Sequence, residues 1–311
     1  MKKRVQQAVK NAATKQKAEQ RVGGVRKSSP RLRASVVNPS PSSSPMIGFI
    51  GGGNMATAMI KGFIAGGVCA PRQIIASDVD AKKRATLART LKIVTTADNG
   101  AAAQARVLIL AVKPQIMAEV LRELRPRLTP RHLVVSIAAG WPTARLEAGL
   151  GERVRVVRVM SNTPALLGKG MSVAVRGRHA TAADARLVLR LLRTVGRARA
   201  VADERLLDAV TGLSGSGPAY VYLFAEALIA GGIGAGLAPA EATELALQTL
   251  TGAAAMLQDA GETPERLRAA VTSPGGTTLA GLNELARRGF ADAVIAAIAA
   301  ATERATELGR V

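Results

Sequence analysis

Short apolar runs alternate with stretches of helical periodicity along the chain from Met46 to about residue 202. This alternation is typical of a parallel sheet whose two faces are covered by helices. Strands are predicted near residues 47–50, 74–77, 107–112, 133–137 and 154–159, with helices between them. Two further extended segments, near residues 172–176 and 198–201, flank a helix predicted from about Ala182 to Thr194.

Strand signals vanish beyond Asp203, and helices rich in Ala and Leu are predicted from there to the end of the chain. Glycine, serine and proline predict breaks between these helices at residues 214–218, 231–239, 261–264 and 273–276. The helices over residues 241–257 and 290–308 are too apolar for a small solvated unit. We expect them to pack against another subunit, the alternative being burial under the first domain.

Residues 1–45 differ in composition from the rest of the chain. They carry eleven Lys and Arg and a single acid, Glu19, which is a net charge of +10, whereas residues 46–311 carry +11 of the total +21. The segment ends in a Ser- and Pro-rich run without a core-forming pattern, so we predict a disordered basic extension. A start codon assigned upstream of Met46 is the favoured origin, and an electrostatic arm and an organellar transit peptide are the alternatives.

Composition excludes several classes of protein. Aromatic residues make up 2% of the chain, which leaves no platform for stacking nucleic-acid bases, so nucleic-acid binding is expected at most through the basic extension. The single cysteine, Cys69, and two histidines support neither a disulfide framework nor a zinc site, and no metal is predicted. Without an apolar secretion signal or an 18-residue apolar run, membrane association is not expected, and the cytoplasm is the expected location.

A glycine-rich turn follows the first predicted strand directly. The sequence GGGNMA at 51–56 fits the dinucleotide fingerprint G-x-G-x-x-G/A. In that fingerprint Gly51 would make the tight turn, Gly53 would admit the pyrophosphate and Ala56 would keep helix and strand close. The chain is therefore predicted to be α/β, with an N-terminal Rossmann-like doubly wound sheet over residues 46–203 and a C-terminal all-helical dimerisation domain over residues 204–311.

Ligands of doubly wound sheets collect at the carboxyl ends of the strands, so residues that end strands are candidates for cofactor binding. The predicted cofactor-binding residues are Ile50, Gly51, Gly52, Gly53, Asn54, Met55, Ser77, Asp78, Ala111, Val112, Lys113, Pro114, Ser136, Ala138, Ala139 and Asn162. The residues after the second strand do not favour one nicotinamide dinucleotide over the other. Asp78 suits a free ribose 2′-hydroxyl, whereas Ser77 with Lys82, Lys83 and Arg84 suits a 2′-phosphate.

A second turn, Ser273-Pro-Gly-Gly276, leads into a helix that begins with two threonines. Its glycines allow close approach, and the unpaired N–H groups of the first helical turn favour an anion. We predict that this turn binds a small carboxylate, and we call it the carboxylate seat. The alternative is an ordinary helix cap. The residues of the seat are Ser273, Gly275, Gly276, Thr277 and Thr278.

Six motifs in this order resemble the pyrroline-5-carboxylate reductases, a family that makes proline. They are GFIGGGNM at 48–55, AVKP at 111–114, VSIAAG at 135–140, SNTP at 161–164, GLSGSGPAY at 212–220 and VTSPGGTT at 271–278. The resemblance spans about Met46 to Leu308. The family often has proline in place of Ser161 and Lys-Asp in place of Arg268-Ala269, and neither difference removes a group that the chemistry requires.

The resemblance implies reduction of 1-pyrroline-5-carboxylate to L-proline, the last step of proline biosynthesis, with NADPH preferred and NADH as the alternative. It implies a homodimer or a higher oligomer of dimers, and an active site that involves both subunits. It also implies that the turn at 273–278 holds the substrate carboxylate and that Thr278, the catalytic candidate, lies near the ring nitrogen.

Two other functions stay open at this point. One is a related Rossmann imine or hydroxyacid reductase. Hydroxyacid dehydrogenases with this architecture typically place a lysine on a central helix, but the helix after Pro218 carries Glu226 and no lysine. The other is a non-enzymatic, nicotinamide-binding regulatory or nucleic-acid-associated protein, which the basic extension motivates.

Overall fold

The apolar runs form one eight-stranded sheet in the computed structural model, which describes residues 46–151 and 153–310. The strands are β1 (Ile47–Ile50), β2 (Ile74–Ser77), β3 (Val94–Thr96), β4 (Val107–Leu110), β5 (Leu133–Ser136), β6 (Arg155–Ser161), β7 (Gly170–Arg176) and β8 (Gly196–Ala200). Their spatial order is β3-β2-β1-β4-β5-β6-β7-β8. Neighbouring strands are parallel except β6 and β7, which are antiparallel. The prediction of disorder for residues 1–45 lies outside the described residues.

Helices cover both faces of the sheet. Those of the sheet region are α1 (Asn54–Ala65), α2 (Ala81–Leu91), α3 (Asn99–Ala102), α4 (Met117–Leu124), α5 (Thr143–Leu150) and α6 (Ala182–Leu192). Two separate clusters of buried residues lie on the two faces, one containing Phe49, Met59 and Phe63 and the other Leu110, Met117 and Leu124. The predicted α/β class and Rossmann-like sheet are thereby confirmed.

Helices alone follow Ala202 among the described residues. They are α7 (Leu206–Val210), α8 (Gly217–Gly234), α9 (Pro239–Asp259), α10 (Pro264–Ala270), α11 (Thr277–Arg287) and α12 (Phe290–Arg310). None of the described helices combines the length and the hydropathy that crossing a membrane requires. Large apolar side chains of these helices, such as Leu223, Leu247 and Ile295, are exposed in the single chain.

The predicted and observed elements differ in several places: β6 extends to Ser161, β7 begins at Gly170 and β8 runs from Gly196 to Ala200. The strand β3 was missed because it has only three residues at the sheet edge, where its side chains are exposed or half-buried. The strands β4 and β5 end before their predicted limits, at Leu110 and Ser136. The predicted break at residues 214–218 is narrower than expected, because Thr211–Gly215 form a π-helical turn that follows α7 and only a bend at Ser216 separates it from α8.

Candidate active site

The turn at Gly51 to Gly53 joins β1 to α1 at the point where the strand order reverses. Gly51 has a φ of +96°, and a Cβ there would lie 2.7 Å from the carbonyl oxygen of Ala111. A Cβ on Gly53 would have no atom within 4 Å. The fold itself therefore requires glycine at 51, whereas the space beside Gly53 is open to a ligand.

The start of α1 offers unpaired backbone donors beside this space. Gly53 precedes the helix in an extended conformation, and no side chain caps the helix. The first N–H groups of a helix lack partners within it, and the helix dipole favours an anion there. Ala56 is fully buried against the core, so the helix lies close to the sheet. These features fit a pyrophosphate.

Asp78 follows β2 and contacts the glycine turn. Its Oδ2 accepts a hydrogen bond of 2.8 Å from the backbone N–H of Gly52, and its Oδ1 accepts one of 2.9 Å from Asp80. The ammonium group of Lys83 lies 3.9 Å from the carboxylate. Arg84 donates to the backbone carbonyls of Asp78 and Val79. Two cations thus accompany the carboxylate where the ribose of a dinucleotide would lie.

Ser77 lies at the same edge, but its side chain is fully buried. Its hydroxyl donates to Oδ1 of Asn99 at 2.7 Å, and Nδ2 of Asn99 donates to Glu123 at 2.7 Å. The expectation that the Ser77 hydroxyl reaches a 2′-phosphate is therefore corrected: the hydroxyl is used inside the protein. Sequence reasoning missed Asn99, because its contact with Ser77 joins residues that are distant in the chain.

The ends of β4 and β5 lie beside the glycine turn. The N–H of Ala111 donates to the carbonyl of Ile50 at 2.8 Å, and that of Ile137 donates to Leu110 at 3.2 Å. Lys113 is exposed, whereas Ser136 is fully buried. The structure thus brings the predicted residues at 50–55, 77–78, 111–114 and 136–139 to one edge of the sheet.

Asn162 follows β6 at this edge, and both the oxygen and the nitrogen of its side-chain amide form hydrogen bonds within the protein. Its Oδ1 accepts from the N–H of Met171 at 2.8 Å, and its Nδ2 donates to the carbonyl of Ser214 at 3.1 Å. Ser214 belongs to the π-helical turn. Asn162 therefore links the sheet to the helical part of the chain.

A buried arginine forms a second link between the two parts. Arg158 on β6 is 5% exposed, donates to Glu204 at 2.9 Å and lies 3.8 Å from Asp208. Glu204 also accepts from the N–H and hydroxyl of Thr143, and Asp208 accepts from Thr306 on α12. Sequence reasoning did not find this network, because its members are distant in the chain.

The predicted carboxylate seat lies in the helical part of the chain. Gly275 has a φ of +71°, and the N–H of Gly276 closes the turn on the carbonyl of Ser273 at 3.1 Å. Gly276 precedes α11 without a side-chain cap, and the side chains of Ser273 and Thr278 are exposed. The principal packing of α11 is on α12, so a single chain does not enclose the seat.

Comparison with known proteins identifies the family. Residues 204–308 match the model for the pyrroline-5-carboxylate reductase dimerisation domain, and residues 46–140 match that for NADP oxidoreductases, coenzyme F420-dependent. The chain is 41% identical over 270 residues to a pyrroline-5-carboxylate reductase of Pisum sativum, covering 87% of this chain and 98% of the relative. It is 46% identical over 267 residues to that of Pseudomonas aeruginosa, covering 86% and 97% of the two chains.

Solved structures agree with these relatives. The pyrroline-5-carboxylate reductase of Coxiella burnetii has a TM-score of 0.80 and 36% identity, with 86% of this chain and 99% of the other covered. A pyrroline carboxylate reductase of Plasmodium falciparum with NADP bound has a TM-score of 0.78 and 30% identity, with 85% and 98% covered. The chain belongs to the pyrroline-5-carboxylate reductase family.

Proposed function

We propose that the chain reduces 1-pyrroline-5-carboxylate to L-proline with NAD(P)H, as a cytoplasmic homodimer or an oligomer of dimers. The observation that carries the proposal is the pair of glycine-containing turns. The turn at 51–53 has open space beside Gly53 at the carboxyl edge of a doubly wound sheet, and the exposed turn at 273–276 precedes a helix that begins with two threonine hydroxyls. The first suits a dinucleotide and the second a small carboxylate.

The cofactor would lie along the sheet edge, with its pyrophosphate at the start of α1 and its nicotinamide toward residues 111–114 and 136–139. When bound, it supplies the hydride. The NADP in the Plasmodium falciparum relative supports the phosphorylated cofactor. Lys83 and Arg84 beside Asp78 support NADPH over NADH, because cations favour the additional phosphate.

The substrate carboxylate would be held by the turn at 273–278, and the Thr278 hydroxyl would hydrogen-bond at the ring nitrogen. A cyclic imine is basic, so it can react as the protonated iminium. The main task of the protein is then to orient the two reactants, since positioning alone accelerates a bimolecular step by several orders of magnitude. This chemistry does not require a strong general acid.

A second copy of the chain would complete the site. Residues 204–308 match a dimerisation domain, and the helices there expose apolar side chains such as Leu247 and Ile295. We call the carboxyl edge of the sheet, where the cofactor would lie, the cofactor edge. Since α11 is exposed in the single chain, we propose that the carboxylate seat of one subunit faces the cofactor edge of its partner. Apolar surface of this kind is typical of obligate dimers.

The proposal is tested by following NADPH oxidation with 1-pyrroline-5-carboxylate and measuring proline by chromatography. We expect equimolar proline and a higher kcat/KM with NADPH than with NADH. A strong preference for NADH would overturn the cofactor assignment. Reduction of 2-oxo acids without reduction of the imine would instead favour a hydroxyacid dehydrogenase, and no turnover with either substrate class would favour a nicotinamide-binding regulatory protein.

A further inference from the structure

The π-helical turn at Thr211–Gly215 lies between the sheet and α12. The N–H of Ser216 donates to the carbonyl of Thr211 at 2.8 Å, a bond that spans five residues. A Cβ on Gly212 would lie 2.7 Å from the carbonyl of Ile298, and one on Gly215 would collide with the Met160 side chain at the end of β6. Close packing therefore fixes the turn on both sides, and π-helical turns are frequent at functional sites.

Pro218 leaves one carbonyl of this turn without its usual helical partner. In an α-helix the carbonyl of Ser214 would accept a hydrogen bond from the N–H of residue 218, but proline has no N–H. The donor that is present is Nδ2 of Asn162, at 3.1 Å from the Ser214 oxygen. A side chain at the end of β6 thus replaces the missing backbone donor at the start of α8.

We propose that Asn162 is a positioning residue that acts through Ser214, and that it does not bind the cofactor itself. All three of its polar contacts are with the protein: Oδ1 accepts from the N–H of Met171, and Nδ2 contacts both the carbonyl and, at 3.5 Å, the hydroxyl of Ser214. The bond holds the Ser214–Pro218 segment against the carboxyl edge, where the nicotinamide would meet the substrate. The proposal rests on the proposed reductase function and replaces the earlier assignment of Asn162 as a cofactor ligand.

Asn162→Asp tests the proposal, because aspartate keeps the acceptor for Met171 and loses the donor for Ser214. We expect kcat with 1-pyrroline-5-carboxylate to fall about tenfold, as positioning of the reactants is lost, with the Kd for NADPH changed less than twofold. Gln104→Glu is the matched control. It makes the same chemical change at an exposed position before β4, and kcat should stay within twofold of the unaltered protein.

The decisive variant is the double substitution Asn162→Asp with Pro218→Ala. Alanine restores an N–H that can reach the Ser214 carbonyl, so we expect the double variant to recover at least half of the lost kcat and of the lost melting temperature. A single variant that does not fold while the double variant does would support the same conclusion. If neither folds, or if Pro218→Ala brings no recovery, the proposal is overturned.

A rise in the Kd for NADPH with an unchanged kcat would also overturn the proposal, because it would make Asn162 a cofactor ligand. Failure of the proposed reductase function is distinguishable from these outcomes. In that case the unaltered protein reduces no imine, yet the recovery of melting temperature by Pro218→Ala still reports whether Asn162 and Pro218 are coupled through Ser214.

Discussion

At the scale of single residues, the three glycines of the first turn have different physical reasons to be glycine. Gly51 needs its positive φ and lies against the backbone of Ala111, whereas a Cβ on Gly52 would lie 2.8 Å from Leu87 Cδ1. Only at Gly53 is the surrounding space open. The fingerprint in the sequence indicates the motif as a whole, and the structure separates the glycines that the fold requires from the one available to a ligand.

Gly53→Val is therefore expected to leave the melting temperature unchanged and to raise the Kd for NADPH at least about tenfold, because its side chain occupies the pyrophosphate position. Titration of intrinsic or cofactor fluorescence measures the Kd. Gly51→Val is the contrasting variant, since its φ of +96° and the Ala111 carbonyl make it destabilising. Normal NADPH binding by folded Gly53→Val would contradict the placement of the cofactor.

Thr278→Ala should lower kcat/KM for 1-pyrroline-5-carboxylate by about three- to thirtyfold, which corresponds to the loss of one hydrogen bond. The Kd for NADPH should not change. Thr272→Ala is the matched control, because the Thr272 hydroxyl donates to the Arg268 carbonyl of the preceding helix, α10, at 2.7 Å. Equal activity of the two variants would remove Thr278 from the catalytic site and favour a simple helix cap.

At the scale of elements, the sequence predicted the strands that are buried on both faces and the long helices, because apolar periodicity is strong in both. It failed at β3, where a short edge strand carries little apolar signal. At residues 214–218, where glycine, serine and proline predict a break, the observed interruption is only a bend at Ser216 after a π-helical turn. Packing of Gly212 on α12 and of Gly215 on Met160 holds the π-helical turn before that bend, and neither contact is visible in the local sequence.

The contacts of Arg158 with Glu204 and Asp208 join the sheet to the helices. Their members are distant in the chain, so the local sequence does not indicate them. Arg158→Met should lower the free energy of unfolding by about 2 kcal/mol, because a buried cation with two carboxylate partners is removed while those partners stay partly exposed. Urea unfolding measures the change. Arg205→Met, which removes only an exposed pair with Asp203, should leave stability unchanged. Equal effects would show that the buried network does not stabilise the fold.

At the scale of the whole molecule, the two predicted binding turns occupy different parts of one chain. The first lies at the sheet edge and the second at the start of α11, whose principal packing is on α12. Sequence motifs indicate both turns, and the single chain leaves the second turn exposed. Local patterns predict the cofactor edge, whereas the proposed meeting of the two turns requires a second copy of the chain, which no local pattern describes.

Mixing two inactive variants tests this account most directly. Gly53→Val damages the cofactor edge, and Gly276→Val damages the carboxylate seat by crowding Ser273. If each site combines the edge of one subunit with the seat of its partner, a mixed dimer contains one intact site and one doubly damaged site. Random exchange makes half of the dimers mixed, so we expect about a quarter of the unaltered kcat per subunit after reassociation. Activity no greater than that of the separate variants, with mixed dimers shown by native mass spectrometry, would contradict a site shared between subunits.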